Sequence, residues 1–148
     1  MNEQSYIKER VDDQIKWYDQ KSKTNKIFFI SLRTTEIILA ILIPFLVGFI
    51  TDATINKYII GILGVIVAII AGILSFYKFQ ENWLQYRTTS ERLQREKNLF
   101  LAKSKTYNKE DNFTIFVENI ENIISKENST WLDYIKKDDP SVKIKNND

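Results

Sequence analysis

Cysteine and histidine are both absent from the 148 residues. That removes thiol nucleophiles, disulfides, imidazole bases and the usual zinc ligands together, so neither an enzyme nor a metal or other cofactor is expected. Glycine and proline are scarce, with 4 and 2 respectively, and no Gly-rich loop precedes a helix to cradle phosphate. An excess of one charge is missing too. Twenty-one cations against 19 anions leave a net charge of +2, too little for the broad basic field that a nucleic-acid partner would require. A long charged lead precedes the first apolar stretch, and no small-residue cleavage pattern follows it, which argues against a secretory signal.

What is present is strongly segregated. Tyr58 to Tyr77 is 20 residues without a charge, about 30 Å as a helix and a match to the hydrocarbon core of a bilayer. Ile37 to Thr51 is a second uncharged run, containing Pro44, and the turn Thr51–Lys57 joins the two. The pattern predicts transmembrane helices over 33–51 and 58–77, antiparallel, with a lipid bilayer as the first partner. Fifteen uncharged residues span only about 22 Å, so the first helix must draw on residues before Ile37, which puts Glu36 at or just inside the boundary. All four glycines lie in this hairpin. Pairing Thr51 with Lys57 sets Ala40, Pro44 and Gly48 beside Gly64, Ala68 and Gly72, a close helix-packing seam of small residues.

Orientation follows from the basic residues. Seven precede Ile37, one lies in the turn and thirteen follow Tyr77, so both termini are expected in the cytoplasm. The lead over 1–26 carries Ile7, Val11, Ile15 and Tyr18 at helical steps, with charges between them, and predicts an amphipathic helix that packs on its neighbours rather than on a membrane surface. A break is expected at Ser22 to Asn25. Beyond Tyr77 neither Gly nor Pro occurs before Asp139, so the second span should continue as one long helix, with Phe79, Tyr86, Leu93 and Phe100 along one column. Ser104 to Asn108 reads as a turn. After it Glu110 and Asp111 supply the acidic charge a new helix favours, and Phe113, Phe116, Val117, Ile120 and Ile124 mark that helix's buried face. The tail over 138–148 reads as disordered. The fold class is thus an all-α membrane protein, a two-transmembrane helical hairpin with a cytoplasmic helical bundle over 78–137 and the N-terminal helix.

Several motifs coincide with a known pattern. Gln14-x-x-Trp17-Tyr18-Asp19, Asn25-Lys26, Ile43-Pro44 and the run Phe79-Gln80-Glu81-Asn82-Trp83-x-x-Tyr86-Arg87-x-x-x-Glu91-x-Leu93-x-x-Glu96-Lys97 resemble the bacterial SLATT-type two-helix membrane proteins, among them domain of unknown function 4231. Where that pattern has Gly-Pro-Tyr, this chain has Lys105-Thr106-Tyr107. The resemblance implies a homo-oligomeric pore in the bacterial inner membrane that acts in conflict or phage defence and is triggered by a nucleotide-type second messenger or a separate sensor protein. One hairpin cannot enclose a water path, so several copies are needed, with Asp52 and Glu36 as candidate outer and inner pore mouths. The alternative reading makes the hairpin a tether for a protein-interaction module.

Overall fold

The computed structural model describes residues 2–49, 53–108 and 111–138, and every regular element among them is helical. In order these are α1 (Glu3–Tyr6), a π-turn (Ile7–Val11), α2 (Asp12–Phe49), α3 (Ala53–Tyr77), α4 (Phe79–Leu101), a 3-10 turn (Lys105–Tyr107) and α5 (Asn112–Asp138). Asp52, Glu110 and the expected disordered tail from 139 onward lie outside the described residues. The chain divides into two compact units, Met1–Gln20 with Gln85–Asp148, and Lys21–Leu84.

The first unit is a helical bundle with an apolar core. Asn2 opens it, its side chain accepting from the Ser5 N–H at 2.8 Å, the N-cap that orphan amides at a helix start require. The stripe read from the lead faces inward: Val11 and Tyr18 are buried, with Ile7 and Ile15 packed against them. From α4 come Leu93 and Phe100, from the 3-10 turn Tyr107, and from α5 Phe116, Ile120 and Ile124. Phe100 stacks on Phe116 with ring centroids 4.2 Å apart, and Tyr107 meets Phe100 edge-on at 5.4 Å. Each such aliphatic or ring, fully buried, contributes about 1.5–3 kcal/mol. Of the expected face of α5, Phe113 and Val117 are half-buried at its margin.

The end of α4 explains the turn that follows. Lys103 has φ 49°, its N–H donates to the Phe100 carbonyl at 3.0 Å, and the Ser104 N–H donates to Leu99 at 3.1 Å. This is a Schellman ending with lysine in the left-handed position where glycine is usual.

The second unit holds the two apolar arms. Both α2 with its preceding turn and α3 with α4 are long and apolar enough to cross a membrane, and the most apolar stretches are 0% and 6% buried. The arms run antiparallel: Phe28 stacks on Phe79 at 5.7 Å and Phe29 meets Trp83 at 6.4 Å. Two expectations are corrected here. The break at Ser22–Asn25 does not occur, because the Asn25 amide donates back to the Lys21 carbonyl at 2.8 Å and the buried Ser22 hydroxyl donates to the Trp83 carbonyl at 3.3 Å. Polar side chains that reach backbone acceptors this way sit inside a helix without ending it. Conversely, the second arm is not one unbroken helix. Lys78 takes φ 47° between α3 and α4, a left-handed step costing about 1 kcal/mol for a residue with a Cβ. Two contacts offset it: the Asn82 side chain donates to the Tyr77 carbonyl at 3.1 Å, and Tyr77 stacks on Phe79 across the break at 5.4 Å.

Candidate functional site

In the hairpin unit, the residues that pack and the residues that face outward are not those the glycine pattern suggested. Ile70 is buried, and Ile60, Leu63, Val67, Ile73 and Leu74 are half-buried beside it, while α2 contributes Leu32, Glu36, Leu39, Ile43 and Leu46. Ala40, Pro44, Gly48, Gly64, Ala68 and Gly72 are all exposed. A Cβ built on any of the three glycines meets nothing within 4 Å. At about 100° per residue, Ala68 and Gly72 point about 160° away from Ile70. The expected small-residue seam between the two arms is therefore corrected: large aliphatics fill that contact, and the small residues form outward faces.

Glu36 lies on the packed stripe of α2, and its carboxylate accepts from Arg33 at 2.8 Å, with side chains 16% and 56% exposed respectively. Of the motif residues in this unit, Gln80 and Glu81 are exposed and Trp83 is half-buried. Lys26 places its ammonium 5.3 Å from the centroid of the Trp83 ring, a cation–π contact.

In the bundle unit, Tyr86 and Arg87 fasten α4 to α2, and Glu96 fastens it to α5. Tyr86 packs among Trp17 and Tyr18 at 5.8 and 6.1 Å. Arg87 donates to Glu91 at 2.7 Å and to Asp19 at 3.5 Å. Glu96 accepts from the Tyr107 hydroxyl and from the Asn119 amide, and Asn119 also donates to the Tyr107 oxygen at 2.9 Å. Two carboxylates of α5 itself, Glu121 and Glu127, also accept from other elements. Glu121 accepts from the Tyr6 hydroxyl and, through both its oxygens, from Arg10, each at 3.0 Å. Glu127 accepts from Tyr18 at 3.1 Å and from Gln85 at 3.4 Å. Lys97 reaches Asp12 at 2.6 Å.

These surroundings fix protonation. Burial, then the hydrogen bond to Glu121, pushes the Tyr6 phenol up to about 12. Burial, then the hydrogen bond to Glu96, pushes Tyr107 up to about 12. Burial and the Glu127 charge raise Tyr18 and Tyr86. The Arg10 hydrogen bond holds the Glu121 carboxyl below the usual carboxylate range, and the same bond raises Arg10. Phenols donating into carboxylates make charge-assisted bonds, and here they tie α5 to α1 and α2, and the 3-10 turn to α4. Among the described residues, no group of three or more His, Cys, Asp or Glu is placed to hold a metal ion.

Sequence reasoning missed Tyr6, Glu121 and Asn119. Tyr6 and Glu121 stand 115 residues apart, and neither belongs to a spacing that marks the pair. The family pattern singles out Glu96 and Tyr107, without their contact.

No curated protein and no solved structure matches the chain. The family model described as "Protein of unknown function (DUF4231)" matches residues 13–114, which include the apolar arms, the Trp83–Glu96 run and Tyr107. The chain belongs to that family.

Proposed function

We propose that the protein is a two-span membrane protein of the bacterial inner membrane, with both termini cytoplasmic, whose copies assemble through the hairpin into a homo-oligomeric pore. The observation that carries this reading is the outward placement of Ala40, Gly48, Gly64, Ala68 and Gly72 on arms that are otherwise sheathed in exposed Ile, Leu, Val and Phe. Lipid tails gain nothing from such gaps, whereas a second helix gains dispersion contact by approaching closely there. The basic residues flanking the arms support the orientation. A conflict or phage-defence role, with a second messenger or sensor protein as the trigger, rests on the SLATT-type resemblance, and Glu36 and Asp52 are the acidic groups offered for the two pore mouths.

The tether reading has an observation of its own, the separate core of the bundle unit together with the half-exposed Trp17 on its surface. Subunit counting by native mass spectrometry of detergent-purified protein decides between the two. The pore reading expects one discrete oligomer of three or more copies, because two hairpins enclose no water path. A monomer or dimer at every protein concentration would contradict it.

A further inference from the structure

Cations are distributed unevenly over the hairpin unit. Residues 21–84 hold six Lys and Arg against three carboxylates, a net +3 that exceeds the +2 of the whole chain. Five of the six, Lys21, Lys23, Lys26, Arg33 and Lys78, fall at the end of the arms where the chain enters and leaves, which also holds Glu36 and Glu81. The far end carries Lys57 alone.

The same end carries the rings. Phe28, Phe79 and Tyr77 form a stacked ladder, with centroids 5.7 and 5.4 Å apart. Phe29 packs on Trp83, and the ammonium of Lys26 is held over that indole. Its contact with the ring restrains the lysine stem while leaving the head exposed, since ring attraction removes none of its three donors. Arg33 gives one nitrogen to Glu36 and remains 56% exposed, so most of its five donors are still directed outward. A layer of half-exposed rings fits the level of lipid headgroups, and flanking lysine and arginine suit the phosphates found there.

We propose that this end of the hairpin is a binding site for the phosphate headgroups of anionic phospholipids, with Lys26 and Arg33 as the principal contacts and the Phe79–Trp83 rings as the platform. The site rests on the membrane reading above. Each basic side chain close to an anionic surface strengthens binding by about fivefold, the equivalent of about 1 kcal/mol.

Full-length protein is reconstituted into nanodiscs of phosphatidylcholine mixed with phosphatidylglycerol, stripped in detergent, and the retained lipid counted by native mass spectrometry. Wild type is expected to keep phosphatidylglycerol at least several-fold over its share of the mixture. The double variant Lys26→Gln with Arg33→Gln should lose that preference, Lys57→Gln at the far end should keep it, and Arg33→Lys should recover most of it. Circular dichroism confirms that each variant is folded. Wild type holding the two lipids in proportion to the mixture, or the double variant retaining the wild-type preference, would overturn the proposal. So would equal competition by millimolar inorganic phosphate, which would make the site one for a free anion. Extraction of the protein by alkaline carbonate without detergent is a different failure, that of the membrane reading itself.

Discussion

At the scale of single residues, Glu121 on α5 and its partner Tyr6 carry a pH dependence whose sign is fixed by their contacts. Glu121 is held below the usual carboxylate range by Arg10, so the folded chain binds that proton less tightly than the unfolded one. Its contribution is fully present above the ordinary glutamate value and is lost as pH falls through the lowered one. Tyr6 works the other way. Its contribution is complete below the ordinary tyrosine value near 10 and fades as pH rises toward about 12. Because the Arg10 and Glu121 side chains are 41% and 44% exposed, solvent screening limits the ion pair to about 1 kcal/mol at most. Glu121→Gln should therefore lower the denaturation midpoint modestly at neutral pH and flatten the decline on its acid side. An acid decline as steep in the variant as in wild type would show that Glu121 does not carry it. None of this was legible in the sequence, because the pairing of Tyr6 and Arg10 with Glu121 is set by how the N-terminal lead meets α5, 115 and 111 residues away along the chain.

At the scale of elements, hydrophobic runs and the absence of punctuation were informative, and local polar chemistry was not. The apolar arms, the buried stripe of the lead and the inward face of α5 all follow from period and length. The continuity of α2 through Ser22 and Asn25 and the interruption at Lys78 depend on hydrogen bonds to the Trp83, Lys21 and Tyr77 carbonyls, and a lysine gives no warning of a left-handed step. The glycine face was misplaced for a related reason: a small-residue ladder permits close approach, without showing what approaches. The corrected geometry separates two substitutions. Ile70→Ala opens the contact between the arms and should destabilise the hairpin by about 1 kcal/mol, since in lipid the packing loss remains while the transfer gain is small. Gly64→Leu or Ala68→Leu adds bulk at exposed positions, and a Cβ at Gly64 meets nothing within 4 Å among the described residues, so the hairpin should fold normally while assembly is lost. Thermal unfolding and subunit counting on the same preparations test both. Unfolding of Gly64→Leu as a monomer would return the small residues to the seam between the arms.

At the scale of the whole molecule, the chain combines a fastened helical bundle with a hairpin whose outer surface is apolar, gapped by small residues and rimmed by cations at one end. Composition alone, with 27% charged residues, resembles an ordinary soluble domain, and only the segregation of those charges reveals the arms. The central claim is that copies of this hairpin conduct, and it is tested most directly by current recordings across planar bilayers containing the purified full-length chain. Wild type should give discrete conductance steps, and Gly64→Leu, inserted in equal amount, should give none. Silent bilayers with wild-type protein verified in them, after addition of the nucleotide-type messengers the resemblance implies, would contradict the pore and leave the hairpin a tether.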